Sequence, residues 1–464
     1  MNKTQVLVLG GGPGGYAAAF MAADLGLQTT LVDEGENPGG VCLYRGCIPS
    51  KALLHAARVL TDAAEAEHYG IRFGPPQIDV DKLRGWKDQV VKNLTGGVGL
   101  LAKQRKVNFV RGRGVLQDAH TVRVGAEDYR FEHCILATGS RPVVPGPLQI
   151  DSPRVMDSTG ALELKDIPDR LLVVGGGYIG LELGTVYASL GSRVTIVEML
   201  PSLLPGADRD LVRILQKRIE SLATVHLNTK VAALTDTGGE VEVTLESEEK
   251  TRQESFDRVL VSVGRRPNSE NLGLERTRVR VNPRGFLEVD EQGRTAEPSL
   301  FAIGDVAGDP MLAHKASHQG RVAAEAIAGH KVAFDPRAIP AIVFTDPELG
   351  WAGLTESEAR QKGIQVKVAR FPWGASGRAL TLGRPDGLTK LILAEEDDRV
   401  LGMGVVGTGA GELLAEGVLA IEMGAVAEDM ALSIHAHPTL SETVMESAEV
   451  LEGTATHIYR PVRA

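Results

Sequence analysis

Two of the three cysteines in the sequence lie close together, in the stretch GGVCLYRGCIPSK at residues 39–51. Cys42 and Cys47 are five positions apart. An extended chain of that length spans about 17 Å, so the backbone has to fold back before the two sulfur atoms can reach disulfide geometry. Gly46 permits a sharp turn at this point. Such a pair can bind a metal ion, form a structural disulfide or act as a redox-active dithiol.

The residues that follow the pair favour the redox interpretation. IPSKALLHAARVL predicts a helix that begins near Cys47 and tolerates Pro49 in its first turn. A helix N-terminus stabilises a thiolate, and Lys51, four residues on, adds positive charge on the same helix face. A metal site needs further ligands, whereas the third cysteine, Cys134, falls inside a predicted strand. We therefore predict a redox-active pair and no metal site.

Two glycine-rich turns predict two dinucleotide sites. Each lies in a strand, turn, helix, strand unit, with an acid at the end of the second strand, 18 residues after the last glycine. The units contain Gly10, Gly12, Gly15 and Asp33 in the first and Gly175, Gly177, Gly180 and Glu198 in the second. The glycines make the turn, admit a pyrophosphate and let the helix pack on the strand, while the acid binds a ribose hydroxyl.

The second site is predicted to prefer NAD over NADP. Glu198 would accept a hydrogen bond from the ribose 2′-hydroxyl and repel a 2′-phosphate. The residues that follow, MLPSLLPG, contain no arginine that could receive a phosphate. The alternative is that Glu198 only caps a strand end in solvent.

Composition limits the partners. The 464 residues carry a formal charge of −10, which argues against nucleic acid and anionic membrane surfaces. From its first residues we expect no signal peptide, and no apolar run approaches about 20 residues. Three cysteines fit a reducing compartment, so we expect a cytoplasmic location.

The order of predicted elements indicates an α/β protein with two Rossmann-like units and a C-terminal α+β domain. We expect a discontinuous first domain at 1–145 and 264–335, a second at 146–263 and a third at 336–464. A helical stretch is predicted over about 50–104, and a proline-bearing connection, SRPVVPGPLQIDSPR, leads into the second unit.

Several long motifs in order carry a family resemblance. GGVCLYRGCIPSK, ATGSRP, GGGYIGLE, FAIGD, MLAHKAS and HAHPTLSE together resemble the pyridine nucleotide-disulfide oxidoreductases over essentially the whole chain. The resemblance implies FAD in the first site, NAD in the second and a homodimer formed through the third domain. The activity it implies is oxidation of protein-bound dihydrolipoamide to lipoamide with reduction of NAD⁺. The partners it implies are lipoyl domains and the acyltransferase core of 2-oxo-acid dehydrogenase complexes, or the lipoyl protein of glycine cleavage.

The resemblance also implies roles for single residues. Cys42 matches the interchange thiol, Cys47 the thiol against the flavin, Lys51 a lysine near flavin N5, and Glu182 its carboxylate partner. Further FAD contacts are expected at Gly40, Gly114, Thr138, Gly139, Asp305 and Ala313. Further NAD contacts are expected at Tyr178, Ile179, Val231 and Gly264.

Four positions depart from the usual pattern. Tyr178 falls where the family has a gate residue over the nicotinamide; glutathione reductase has tyrosine there, but many enzymes acting on dihydrolipoamide have an aliphatic residue. Tyr44 and Arg45 replace the commoner Asn-Val, and Ile434 precedes HAHPTLSE. None of these removes a reactive group.

The run HAHPTLSE supplies a candidate base. A dithiol reaction needs a group that takes a thiol proton near neutral pH, which suits histidine. By resemblance this is His437, assisted by Glu442, and both would serve the partner subunit's active site. His435 is interpreted as a packed or surface residue.

Alternatives of other kinds are less well supported. Glutathione reductase would show arginines near Glu198, and mercuric reductase an extra C-terminal cysteine pair; the sequence has neither. The chain could act chiefly as a bound subunit of a large assembly, which co-elution with an acyltransferase would indicate. A non-redox nucleotide-binding scaffold would not need Cys47, Lys51 and His437.

Overall fold

A computed structural model describes residues 2–248 and 250–459 of the chain. The last five residues of the predicted third domain, 460–464, lie outside the described part. The strands form five sheets, of seven, five, three, two and five strands. Among the described helices, none is long and apolar enough to cross a bilayer.

The N-terminal part builds the largest sheet. Its strands are β1 (Asn2–Leu9), β2 (Thr29–Asp33), β3 (Asn108–Arg111), β4 (Gly114–Asp118), β5 (Thr121–Val124) and β6 (Glu127–Leu136). The order is β3-β2-β1-β6-β5-β4, parallel from β3 to β6 and antiparallel beyond. The apolar run VLVL at the C-terminal end of β1 is buried on both faces, as expected for a parallel strand covered by helices.

Four helices belong to this part: α1 (Pro13–Asp24), α2 (Gly40–Arg45), α3 (Cys47–Glu65) and α4 (Val80–Gln104). The prediction of one helical stretch over about 50–104 is therefore wrong in its middle. The intervening GIRFGPPQ contains two glycines and two prolines, which do not continue a helix. A new helix begins after Asp79, whose side chain accepts a hydrogen bond from the Lys82 amide at 3.0 Å.

The middle part repeats the parallel plan. Its strands are β7 (Ser140–Pro142), β8 (Val155–Met156), β9 (Arg170–Val174), β10 (Arg193–Val197), β11 (Ala223–His226), β12 (Thr229–Asp236), β13 (Val241–Ser247), β14 (Thr251–Phe256) and β15 (Arg258–Val261). A parallel sheet has the order β11-β10-β9-β15-β8, and β12-β13-β14 form an antiparallel sheet. The helices are α5 (Ser158–Glu163), α6 (Tyr178–Ser189) and α7 (Arg209–Leu222).

The chain then returns to the first sheet. Strand β16 (Arg265–Pro267) pairs with β7, and β17 (Leu300–Ala302) adds to β6 in parallel. Helix α8 (Ala313–Ile327) packs closely on α1, since a Cβ at Gly320 would lie 2.5 Å from the Gly14 carbonyl oxygen. The exact boundaries of the predicted domains stay a prediction.

The C-terminal part is an antiparallel sheet with helices. Its strands are β18 (Ala341–Val343), β19 (Glu348–Gly353), β20 (Val366–Pro372), β21 (Leu388–Ala394) and β22 (Val400–Gly407). Its helices are α9 (Glu356–Lys362), α10 (Gly377–Thr381), α11 (Ala410–Met423), α12 (Ala427–Leu432) and α13 (Glu442–Glu452). The sheet order is β18-β19-β22-β21-β20, over a core that buries Phe371 and Trp373. The α/β class with a C-terminal α+β part is confirmed.

Candidate active site

One cavity of about 1030 Å³ joins the first glycine turn, the cysteine pair and the start of α6. All the residues predicted for the first dinucleotide line it, together with both cysteines. They are Gly10, Gly12, Gly15, Asp33, Gly40, Lys51, Gly114, Thr138, Gly139, Asp305 and Ala313. Tyr178, Ile179 and Glu182 of the second unit line the same cavity. The dithiol and both glycine-turn units therefore meet at one place.

The cysteines lie side by side where two helices meet. Cys42 belongs to α2, Cys47 is the first residue of α3, and their side chains are hydrogen-bonded. Gly46 between the helices permits the close reversal, since a Cβ there would lie 2.9 Å from the Val41 carbonyl oxygen. The predicted fold-back is confirmed, and it results from a break of one residue between two helices.

The two thiols differ in acidity. The hydrogen bond from Cys42 lowers the pKa of Cys47 to about 7; burial opposes this shift and the charge of Lys51 assists it. The same hydrogen bond, with burial, raises the pKa of Cys42. In the reduced pair Cys47 is therefore the thiolate and Cys42 the donating thiol, as the position at a helix N-terminus favours.

Lys51 and Glu182 form an ion pair beside the thiols. The Nζ atom lies 2.8 Å from Oε2 of the buried carboxylate. Ser50 Oγ donates to Oε2 at 2.9 Å, and the Phe344 amide donates to Oε1 at 3.0 Å. Lys51 Nζ also lies 4.5 Å from the centre of the Phe344 ring, within cation–π range. Ser50 and Phe344 were not predicted; the first lies next to Lys51, but nothing in the sequence connects the second to this site.

The first glycine turn has the geometry of a pyrophosphate cradle. Gly10 has φ +109°, and a Cβ on it would lie 2.3 Å from the Ala137 carbonyl oxygen. A Cβ on Gly15 would lie 1.8 Å from the Gly10 carbonyl oxygen, so only glycine lets α1 approach β1. Gly12, at the N-cap of α1, leaves its amide end open, since the nearest atom to a Cβ there would be 4.0 Å away. Open space at a helix N-terminus fits a dinucleotide pyrophosphate.

The second turn repeats this geometry. Gly175 also has φ +109°, and a Cβ on Gly180 would lie 2.2 Å from the Gly175 carbonyl oxygen. A Cβ on Gly177, at the N-cap of α6, would meet no atom within 4 Å. The two turns therefore offer the same kind of anion site.

The two acids brace their turns in the same way. Asp33 accepts from the Gly11 amide at 2.6 Å and from the Gly35 amide at 2.8 Å. Glu198 accepts from the Gly176 amide at 2.7 Å and from the Leu200 amide at 2.8 Å. Glu198 is buried, so the alternative of a strand cap in solvent does not describe it. Each carboxylate oxygen keeps a lone pair that a ribose hydroxyl could use.

Six residues predicted for NAD do not line the main cavity: Gly175, Gly177, Gly180, Glu198, Val231 and Gly264. Val231 packs in the core between the parallel and antiparallel sheets of the middle part. Gly264 has φ +144°, and a Cβ on it would meet no atom within 4 Å. Neither lines the cavity that contains the thiols.

Asp305 is held by a chain of polar contacts. Ser140 Oγ donates to Asp305 Oδ2, and Arg265 Nε donates to Ser140 Oγ at 2.8 Å. Thr138 Oγ1 donates to the Asn268 carbonyl at 2.7 Å, which joins the segments that carry β7 and β16. Arg265 and Asn268 line the cavity but were missed, because no motif marks them.

His437 and Glu442 lie elsewhere on the chain. His437 Nδ1 is 2.9 Å from Glu442 Oε1, and Oε2 accepts from the Thr439 amide at 2.8 Å. Burial raises the pKa of Glu442, but the hydrogen bonds from Thr439 and His437 outweigh it and leave that pKa lowered. The histidine side chain is 71% exposed and is not among the residues that line the cavity of its own chain. The structure confirms the predicted pairing but does not bring this pair to the cysteines within one subunit.

Two glycine-turn units that share a cavity with a reactive dithiol define a nucleotide-linked disulfide oxidoreductase. Residues 4–320 match the family described as pyridine nucleotide-disulphide oxidoreductase, and residues 339–448 match its dimerisation domain. The chain belongs to this family. Members of the family use FAD and NAD, in agreement with the prediction.

Similar proteins extend over the whole chain. A dihydrolipoyl dehydrogenase of Vibrio cholerae is 50% identical over 98% of this chain and 97% of its own. One from Geobacillus stearothermophilus is 48% identical over 98% of both. The crystal structure of LpdA from Mycobacterium tuberculosis is 27% identical, with a TM-score of 0.90 over 97% of this chain and 100% of its own.

Proposed function

We propose that this chain is a dihydrolipoyl dehydrogenase, which oxidises protein-bound dihydrolipoamide to lipoamide and reduces NAD⁺ to NADH. The observation that carries the proposal is the hydrogen-bonded Cys42–Cys47 pair, which opens into the cavity lined by the first glycine turn. Relatives that match nearly the full length bear this enzyme's name.

In the proposed reaction the substrate thiolate attacks Sγ of Cys42 in the oxidised pair. The Cys42–Cys47 bond breaks, and Cys47 leaves as a thiolate. The second substrate thiol then attacks the mixed disulfide, which releases lipoamide and leaves Cys42 as a thiol. This assignment is supported by the pKa of Cys47, which its neighbours lower to about 7, because the more acidic thiol is the better leaving group.

Bound FAD would take the electron pair from the reduced sulfur atoms and pass it to NAD⁺ as hydride. The residues that would hold it line the cavity from the first glycine turn, through Asp33 and Asp305, to Lys51. Lys51, fixed by Glu182, presents positive charge at the dithiol end of that cavity. For NAD⁺ we propose the second turn with Tyr178, Ile179, Val231 and Gly264. Glu198 would confer preference over NADP⁺, since its buried carboxylate disfavours a 2′-phosphate.

We assign the substrate proton to His437 and propose that each active site of a homodimer borrows this base from the other subunit. The matched dimerisation domain at 339–448 supports the homodimer. Glu442 would orient the ring through Nδ1 and leave Nε2 free for the thiol. The domain division proposed from the sequence, with a discontinuous first domain, is consistent with this use of the third domain.

The wider setting is proposed on the same basis. Dihydrolipoamide is carried on lipoyl domains, so the enzyme would serve a 2-oxo-acid dehydrogenase or glycine-cleavage complex in the cytoplasm. Co-elution with an acyltransferase core would support a role within such an assembly. A free dimer with full turnover would favour an enzyme that acts alone.

An anaerobic titration with dihydrolipoamide tests the proposed activity. We expect a yellow protein that gains long-wavelength absorbance on two-electron reduction and then reduces NAD⁺ in preference to NADP⁺. A colourless protein from which no flavin can be recovered would contradict the proposal. So would a Cys42→Ser variant that still oxidises dihydrolipoamide.

A further inference from the structure

His437 lies on the segment 433–441 between α12 and α13, which we call the base loop. The loop is largely exposed: Ile434 is 99% exposed, and the His437 side chain is 71% exposed. The His435 side chain, two residues before the base, is only 9% exposed. His435 is therefore the side chain through which the exposed half of the loop is anchored in the protein.

The His435 ring is bonded at both nitrogens. Nδ1 lies 2.7 Å from the Ser433 carbonyl oxygen, and Nε2 lies 2.8 Å from Oε1 of Glu416 on α11. Neither a carbonyl nor an ionised carboxylate can donate a hydrogen bond. Each ring nitrogen therefore faces an acceptor within hydrogen-bonding distance. The ring cannot turn without losing a contact.

The remaining bonds of the loop go to its own flanking helices. Ser433 Oγ donates to the Asp429 carbonyl of α12 at 2.7 Å, and the Thr439 amide donates to Glu442 of α13 at 2.8 Å. Among the residues that the structure describes, the bond from His435 to Glu416 alone ties the loop by a hydrogen bond to a third element. Helix α11 itself packs on β19 and β22 of the C-terminal sheet. The bond from His435 to Glu416 therefore connects the loop, through α11, to that sheet.

We propose that His435 is a positioning residue, which fixes the placement of His437 by bridging the base loop to Glu416. The inference rests on the proposed function, in which His437 is the base. The side-chain carboxylates that bond to the loop are Glu416 on α11 and Glu442 on α13. Glu442 orients the base directly, while Glu416 acts on it through His435. A base misplaced by about 1 Å can lose about 100-fold in rate, so the bridge matters to the reaction.

Two activities of the holoenzyme separate this role from a general structural one. Oxidation of dihydrolipoamide by NAD⁺ needs the base, whereas reduction of ferricyanide by NADH does not pass through the substrate thiols. We expect His435→Phe to lower kcat/KM for dihydrolipoamide about 10- to 100-fold, with ferricyanide reduction within about twofold of the unmodified enzyme. His435→Gln should lose less, because its amide keeps one donor, and Glu416→Gln should weaken the bridge similarly. Glu412→Gln, an exposed glutamate on the same helix, is the matched control and should change neither activity.

Equal loss of both activities in His435→Phe and His435→Gln would overturn the proposal, and so would unchanged oxidation of dihydrolipoamide in both.

Nitrogen-15 NMR of the histidine rings tests the bridge without any substrate. We expect a changed His437 signal in His435→Phe but not in Glu412→Gln. An unmoved His437 signal in His435→Phe would count against the bridge. If the unmodified protein fails to oxidise dihydrolipoamide, the proposed function fails, and the NMR result still decides the bridge.

Discussion

Lys51 and Glu182 are joined by two hydrogen bonds, from Nζ to Oε1 at 3.0 Å and to Oε2 at 2.8 Å. The pair connects α3, which begins at Cys47, with α6, which begins at Tyr178. The thiol and the second nucleotide turn are thereby held in one frame. A further bond from the Phe344 amide extends this frame to the C-terminal sheet.

Replacing Glu182 should weaken this frame. The carboxylate accepts hydrogen bonds only from donors, on Lys51, Ser50 and Phe344. In Glu182→Gln the side-chain NH2 group, itself a donor, would face one of these donors. We expect the free energy of unfolding to fall by about 1–3 kcal/mol, since a buried donor loses its acceptor. Urea denaturation at pH 7 measures this. The control is Glu163→Gln, which removes an exposed pair with Lys165 and should cost below about 1 kcal/mol. Equal losses in the two variants would contradict the assignment.

The acidity of Cys47 predicts a pH dependence. Its pKa is lowered to about 7, so the thiolate of the reduced pair is present above that pH and is lost as pH falls through it. We expect the long-wavelength absorbance of the two-electron-reduced protein to be half-maximal near that pH. Visible spectra recorded from pH 5 to 9 measure the midpoint.

Three variants identify the causes of this shift. Cys42→Ala removes the hydrogen bond, which is the largest cause, and should move the midpoint upward most. Lys51→Met removes the assisting charge and should move it upward by less. Lys165→Met, at an exposed lysine, should leave it unchanged. A midpoint that ignores both Cys42→Ala and Lys51→Met would show that another group controls the band.

The sequence predicts those parts of the site that depend on local backbone geometry. Gly15 and Gly180 mark close approaches of helix to strand, and Cys47 starts a helix, because each feature is encoded within a few residues. The partner of Lys51 could be predicted only through the family resemblance, since Glu182 is 131 positions away. No local pattern points to the amide of Phe344, because that contact depends on how the C-terminal sheet packs on α6.

The contact made by His435 could not be predicted from the sequence either. A histidine at this position indicates only a packed or surface residue. The bond to Glu416 requires that α11 and the base loop lie together, and the fold of the C-terminal part alone determines this. The single helical stretch predicted over about 50–104 is wrong for the opposite reason, because the helix-breaking residues GIRFGPPQ are visible in the sequence itself.

The close approach at each glycine turn predicts that single methyl groups will be costly. In Gly15→Ala the new Cβ would lie 1.8 Å from the Gly10 carbonyl oxygen, so α1 must move off β1. We expect this variant to be purified without flavin and to unfold at least about 3 kcal/mol more easily, as for a strained core position. Gly180→Ala should instead keep the flavin and lose NAD⁺ binding.

Gly96→Ala is the control. Gly96 lies in α4, and a Cβ on it would meet no atom within 4 Å, so this variant should be neutral or up to about 1 kcal/mol more stable. Flavin absorbance and thermal unfolding distinguish the three; flavin retained in Gly15→Ala would contradict the cradle.

The separation of His437 from the cysteine cavity of its own chain predicts complementation between subunits. Homodimers of Cys42→Ser and of His437→Gln should both be inactive towards dihydrolipoamide. A hybrid dimer with one chain of each kind has one site in which intact cysteines meet the intact histidine of the other chain, and one site that lacks both. We expect the purified hybrid to show about half the activity of the unmodified dimer, because one of two sites is restored.

Two affinity tags allow the hybrid to be isolated, and its turnover of dihydrolipoamide with NAD⁺ is the measurement. If each chain used its own histidine, neither site of the hybrid would be complete and it would be as inactive as the parent homodimers. A hybrid of Cys42→Ser with Cys47→Ser is the matched control, since both of its sites lack one thiol whichever chain supplies the base.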